Sequence, residues 1–549
     1  MHRGLSLLII LFTLAVQVRA ADDDVAARVV ILANSDEPES VRLAEYYAEK
    51  RGVPKANIVV LPMPIGETVS WRSFVDTVFN PLQAKLVERG WIDGIGMELA
   101  DAAGRKKYVM NGHTISYLVV CRGVPLKVVH EPAIPAEAIP QAANPAFKTN
   151  ASSVDGELAL VALSNTPLIA FVPNPLFKND APSTIQANQI VKVGRLDGPS
   201  FPDARKLIDH ALEAERTGLI GRGYIDIGGP HAQGDRWLED AAKQLEALDY
   251  DTDTERAGGS MPPWTRMDAP ALYFGWYAGG VNGPFTQAGF TFPPGAVALH
   301  IHSFSADTVR SATSGWVGPL VARGVTATFG NVTEPYLELT HQPQLILKAL
   351  ARGDRLGDAA AYAVPVYSWQ AMMIGDPLYR PFAVTLEEQW TKREKLSPER
   401  RGYVVLRRMR ELERGGDRNA AIWAGLVAEK AGRHLAVAVG TAKLQVSAED
   451  PSGARQTLDW VVNKRSFTAV ESPVGAEAAQ VLKAGGDAKA AVNVWRSVLG
   501  GQDLAKETRV AWLPQAIEAA QAAPDARQLL YWENDYKELT APPAAEAGK

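Results

Sequence analysis

The sequence predicts an α/β protein, a mainly parallel sheet with flanking helices, followed by an all-α C-terminal region. Three observations carry this. Apolar runs of strand length alternate with helix-patterned segments up to about residue 385, the signature of βαβ units. From about Glu387 glycine and proline thin out, while Ala, Glu, Lys and Arg rise. Across 549 residues, 46% hydrophobic and 22% charged content is that of an ordinary folded protein, long enough for several domains.

The elements follow in order. Arg28 to Ala33 is an apolar strand run, and Ser40 to Lys50 spaces Val41, Ala44, Tyr47 and Ala48 at helical intervals. Gly52 and Pro54 stop that helix. Ile58 to Leu61 is a second strand, Trp71 to Glu88 a helix, and Tyr117 to Cys121 a third strand. Residues 124–152, with five prolines, are expected as a long surface excursion, and Asn165 to Pro182 is irregular again. The rhythm resumes with a strand around Val191 to Gly198, a helix from Pro202 to Arg216, a strand at Arg222 to Ile227 and a helix from Asp235 to Leu248. Ala271 to Phe274, Val297 to His302 and Val325 to Phe329 are the next strands, with helices near Trp316 to Arg323, Leu345 to Arg352 and Leu356 to Ala363. Beyond 386, helices are expected at 420–431, 454–462, 476–483, 488–499 and 506–522. No period of about 34 residues is visible, so a tetratricopeptide-like array there would be degenerate.

Residues 1–20 have the parts of a secretory signal: Arg3, an apolar run from Leu5 to Val16, and small residues before Ala21. That run is short for a membrane span, which needs about 20 residues. A periplasmic or secreted protein without a transmembrane span after cleavage is the expectation. Cleavage removes Arg3 and Arg19 from a chain of formal charge −5, leaving it more acidic, so phosphate backbones find no basic footprint and nucleic acid is excluded. Cys121 has no second cysteine to pair with. In its apolar run it is a core residue; as a nucleophile it would need an adjacent base.

Chemistry concentrates where predicted strands end, since open α/β sheets bind ligands at the carboxyl ends of their strands. His300 and His302, two apart on a strand, would share a face and lead into Ser303 and Ser305. Two imidazoles with Glu334 or His341 would suit a transition metal; bonded to backbone or carboxylates, they would be structural. Ser303 and Ser305 are either nucleophiles or helix caps. Asp155 and Glu157, after the proline-rich excursion, are candidate acid–base groups, with solvated or capping carboxylates as the alternative. Trp276 and Tyr277, among Gly275, Gly279 and Gly280, are expected to line a site, and Arg310, Glu334, Trp369 and Asp376 complete the candidate ligand contacts. The residues leave open whether a cofactor is bound.

Several stretches carry a resemblance. YLVVCRGVPLKV (117–128), SVDGEL (153–158), RLDGP (195–199), GWYAGGVNG (275–283), HIHSFSA (300–306), GNVTEPYLELT (330–340) and SWQAMMIGDPLYRPF (368–382) are similar to a bacterial family found in species that carry exosortase, the membrane enzyme tied to exopolysaccharide-linked protein sorting. That resemblance implies no activity. More remotely, the order of parts resembles gingipain and caspase-like cysteine peptidases. In those, one strand ends in a catalytic His, the next in a catalytic Cys, and a GDP segment follows. Here the corresponding ends are Phe274-Gly275-Trp276-Tyr277 and Ser303-Phe304-Ser305, while Gly375-Asp376-Pro377 is kept.

The expectation is therefore a signal peptide at 1–20, a caspase-like domain at 21–385 and a helical region at 386–549. Its function would be an exported cell-envelope protein whose peptidase-like domain has lost the Cys/His dyad and binds a peptide or exopolysaccharide-related ligand. The alternative is a hydrolase with altered residues, Ser/His/carboxylate or metal-assisted. A protein partner is expected on the C-terminal helices, because helical arrays present binding surfaces.

Overall fold

The computed structural model describes residues 24–134, 139–501 and 504–542. The expected signal peptide and the last seven residues of the chain lie outside the described residues. Ten strands build the central sheet: β1 (Val29–Asn34), β2 (Ile58–Leu61), β3 (Tyr117–Cys121), β4 (Val193–Leu196), β5 (Arg222–Asp226), β6 (Thr252–Glu255), β7 (Pro270–Gly275), β8 (Val297–His300), β9 (Ala327–Asn331) and β10 (Ala371–Ile374). Their spatial order is β6-β5-β7-β8-β9-β10-β4-β3-β1-β2. The pairs β1–β2, β1–β3, β3–β4, β5–β6, β5–β7, β7–β8 and β8–β9 are parallel, and β9–β10 is antiparallel. β4 meets β10 through one residue pair, Arg195 with Ile374. The order second-first-third-fourth occurs twice, in β2-β1-β3-β4 and in β6-β5-β7-β8, so the sheet holds two like units side by side.

Strands buried on both faces need apolar side chains at every position, and β1, β3 and β7 have no exposed residue. One face packs against α1 (Pro38–Arg51), α2 (Phe201–Thr217) and α4 (Val317–Ala322), where Tyr47, Leu207 and Leu320 meet Ile31, Tyr273 and Ala298. On the opposite face, α3 (Ala232–Ala247), α5 (Pro343–Ala351) and α6 (Leu356–Ala363) bring Leu238, Ile346 and Ala359 onto Phe274, Val297 and Leu299. The helical run Trp71 to Glu88 covers β1 and β2 on that side through Phe74, Val78 and Leu82.

Two strand features lack the apolar signal that marks the rest. β6 reads Thr-Asp-Thr-Glu, half-buried throughout, because it is an edge strand and buries little. Ile92–Ala100 and Lys106–His113 form a separate antiparallel ribbon with Ile95, Met97, Leu99 and Val109 exposed. The proline-rich excursion carries a two-residue strand at Lys127–Val128 and tight turns at Pro140–Ala143 and Pro145–Phe147.

Past β10 the chain is helical. It starts with α7 (Leu386–Lys392), α8 (Pro398–Arg414), α9 (Arg418–Ala431) and α10 (Leu435–Ser447), and continues to the helix Ala526–Thr540. The single helix expected over 454–462 is two, Pro451–Thr457 and Asp459–Val462. α8 fastens this region to the sheet: Arg407 donates to the Leu248 carbonyl, Arg410 pairs with Asp251 at 2.7 Å and Arg414 with Asp249 at 2.7 Å. Among the described residues no helix is long and apolar enough to cross a membrane.

Candidate functional site

β7 and β8 are neighbours with Gly275 beside His300, so the chain leaves both at one rim of the sheet. The expectation that His300 and His302 share a face fails, because the strand ends at His300. The Ile301 N–H still donates to the Gly275 carbonyl, but three residues later Phe304 adopts a left-handed φ of 60°. That turn breaks the period of two. His300 points into the core and His302 onto the rim.

His300 is 1% exposed, and its ring stacks on Trp316 with centroids 3.6 Å apart. Nε2 accepts the Ala278 N–H at 3.0 Å, which places the ring hydrogen on Nδ1, facing the Tyr273 hydroxyl at 2.8 Å. Trp316 Nε1 donates to the Ala278 carbonyl at 2.8 Å, so both polar groups of that peptide residue are held by side chains. Burial, and secondarily His302, push the His300 imidazole well below its ordinary range, so it is neutral. Tyr273 and Trp316 thus fix His300 as a clamp on the loop that carries Tyr277.

The open lip consists of Tyr277, His302, Ser303 and Glu334. Tyr277 is exposed and packs on the His302 ring at 4.4 Å between centroids. The preceding Trp276–Tyr277 peptide is cis. His302 Nδ1 contacts the Ser303 carbonyl, so this nitrogen carries a hydrogen and donates it there. The Ser303 hydroxyl donates to Glu334 Oε2 at 2.6 Å, and Glu334 Oε1 accepts the Tyr336 N–H at 2.9 Å. Phe304, also exposed, extends the aromatic surface. Left-handed residues other than glycine cost about 1–3 kcal/mol each, and Phe304 and Tyr336 both lie in the loops that carry this lip.

The other expected site residues lie elsewhere. Trp276 does not line the opening. It is 1% exposed, its Nε1 donates to Asp235 at 2.9 Å, and a Cβ at Gly229 or Gly234 would come within 2.2 or 2.0 Å of the indole. The glycines that matter here seat a core tryptophan. Trp369 is equally buried, donating to the Pro335 carbonyl at 2.8 Å with Phe147 and Phe171 edge-on. Asp376 is buried near the starts of the strands, accepting from the Tyr47 hydroxyl at 2.7 Å and pairing with Arg51. Ser305 is buried and accepts the Asn331 N–H at 3.0 Å, tying the turn after β8 to β9.

Asp155 and Glu157 belong to a second, buried polar network, not to the histidines. Asp155 grips Arg195 at 2.6 and 3.0 Å. Arg195 and Arg310 share Asp197, and Arg310 spends further donors on the carbonyls of Ile65 and Val124. Glu157 accepts from Ser152 at 2.9 Å and Ser368 at 2.5 Å, and burial raises its carboxyl despite Arg105 at 3.4 Å. His341 is buried against Phe329 and held neutral, its imidazole pushed down to about 3 by burial. The metal set of His300, His302, Glu334 and His341 is therefore not assembled, and among the described residues no group of three His, Cys, Asp or Glu is placed to hold a metal. Cys121 is buried, and desolvation drives its thiol far above the ordinary range.

Phe304 went unrecognised in the sequence. Its only signal is a bulky residue between two serines where the strand stops. No family model matches this chain, and no curated protein matches it. Among solved structures, one titled "Structure of Protease" matches with a TM-score of 0.32 and 10% identity, over 65% of this chain and 79% of that chain. A likeness of this degree gives no residue of this chain a role.

Proposed function

We propose that this chain is exported and that its α/β domain binds a peptide or glycan on the lip formed by Tyr277, His302, Ser303 and Glu334, without Cys/His hydrolysis. One observation carries this reading: the lip's imidazole turns to the Ser303 carbonyl, while the Ser303 hydroxyl goes to a carboxylate. At the lip, among the described residues, no imidazole–hydroxyl pair stands ready to make an alkoxide. The side chains lie on an open surface, and exposed Tyr277 and Phe304 suit stacking on a sugar ring or an aromatic side chain. Export rests on the N-terminal pattern of Arg3 and Leu5 to Val16. The motifs at 117–128, 275–283 and 368–382 favour kinship with the exosortase-associated family, and the remodelled dyad positions favour a non-peptidase descendant of the gingipain-like fold.

Purified mature protein is screened against peptide and glycan arrays. Binding that falls about tenfold in Tyr277→Ala supports the reading. Capture unaffected by that change, or none at all, refutes it. Sequencing the N-terminus of the fractionated protein tests export, with Ala21 or a near neighbour expected first.

A second reading has one observation in its favour, the 2.6 Å bond from Ser303 to Glu334. A carboxylate can take the serine proton directly, making Ser303 the nucleophile of a hydrolase. A fluorophosphonate probe that labels wild type but not Ser303→Ala, with turnover of a peptide or ester, would establish it.

A further inference from the structure

We propose that the outer groove between α8 and α9 docks an amphipathic helix with acidic flanks, supplied by a partner protein. This site is separate from the lip and does not depend on it. The groove encloses about 400 Å³. Along α8 its wall is Gly402, Val405 and Leu412, spaced three to seven residues apart, so they form one stripe. Along α9 it is Ala424, Ala428 and Ala431, small enough for a third helix to approach closely, and Trp390 of α7 also lines it.

Trp423 and Val427, one turn apart on α9, stand 68% and 48% exposed at the mouth. Core side chains of this size are normally covered, and each helix pair in an array is covered by the next. α8 and α9 are the first long pair, and an outer face without a neighbour would need polar residues to stay in water. This one is apolar instead, with the outline of a missing helix.

Charge selects the occupant. The lining holds Arg393, Arg401 and Arg408 against one carboxylate, Glu394. Glu394 is shared by Arg401 at 2.7 Å and Arg393 at 3.5 Å, leaving a positive excess in the lining. Arg408 is held by Glu411 at 2.5 Å and Glu387 at 3.5 Å, beyond the groove. An incoming helix with Glu or Asp beside its apolar stripe meets that excess, and one flanked by lysines is repelled.

The test uses the full mature chain and a fluorescein-labelled peptide of about 18 residues, with leucines at i, i+3, i+4 and i+7 and glutamates on both flanks. Anisotropy should report binding that weakens about tenfold in Trp423→Ser/Val427→Ser, and about tenfold when the flanking glutamates become lysines. Both replaced side chains are largely exposed, so circular dichroism and Tm should match wild type; if they do not, Val427→Ser alone is compared. Absence of binding overturns the proposal. So does equal affinity for the lysine peptide, indifference to the double substitution, or concentration-dependent self-association that Val427→Ser abolishes, which would make the occupant a second copy.

Discussion

His300 and Asp226 show how single buried groups shape the rim. Replacing His300 by Ala leaves the Ala278 N–H and the Tyr273 hydroxyl without partners in a closed site. We expect a loss of about 3 kcal/mol in urea unfolding and faster amide exchange at Ala278. Trp316→Phe keeps the ring stack, loses one bond to the Ala278 carbonyl, and should cost about 1 kcal/mol. Asp226, at the end of β5, accepts the Met261 N–H at 3.2 Å through one oxygen, and its other oxygen is buried without a partner. Burial pushes its carboxyl up to about 8. The folded state therefore keeps a proton that the unfolded chain releases near pH 4, so this group's stabilising effect is complete below about pH 4 and disappears as pH rises through about 8. Asp226→Asn, a permanent neutral mimic, should remove that dependence. Between pH 5 and 8 the wild type should lose about 4 kcal/mol relative to the variant, measured by urea unfolding at each pH.

At the scale of elements, α8 is a row of arginines laid across the turn that feeds edge strand β6. Arg222 and Arg266 are buried beneath it with Asp251, Asp268 and Glu477, and the Tyr403 hydroxyl donates to Asp268 at 2.8 Å. Burial alone would raise the carboxyls of Asp251 and Asp268. Arg222 and Arg410 beside the first, and Arg266 and Arg222 beside the second, hold both well below the usual carboxylate range. A depressed pKa means the stabilisation is present above about pH 4 and is lost as pH falls below it. Pepsin digestion at stepped pH should accordingly release α8 to α10 before it cuts β1 to β4; simultaneous loss would contradict this. Asp268→Asn should destabilise the protein by about 3 kcal/mol at neutral pH, because two buried guanidiniums lose a partner.

At the scale of the whole molecule, the sheet and the helices depend on each other. Gln389 of α7 donates to the Leu219 carbonyl, and Ile220 packs with Tyr403, Val404 and Leu406. Residues 24–385 expressed alone would expose that apolar seam and leave Asp251 without Arg410. Differential scanning calorimetry should find that fragment melting about 10 °C or more below the full chain. An unchanged Tm would show that the helices are merely appended.

The sequence alone determined the elements whose burial writes a pattern. Ile58–Leu61, Tyr117–Cys121, Leu356–Ala363 and Ala488–Leu499 have the bounds their apolar periodicity predicts. Strands buried on both faces must be apolar throughout, and helices with one buried face must repeat every three or four residues. Also legible was the rim at Tyr277, His302 and Ser303, because strand ends are where polar and glycine residues interrupt an apolar run. Tertiary structure decided which side chains reach that rim. Trp276, Trp369 and Asp376 look like site residues in a string of letters, yet each is enclosed by groups distant in sequence: Asp235, Pro335 and Arg51. His300 and His302 were separated by one left-handed turn, and the twofold recurrence of the strand order is a property of the folded sheet. Burial leaves its mark on composition, but which partner satisfies a buried polar group depends on contacts that the chain makes only once folded.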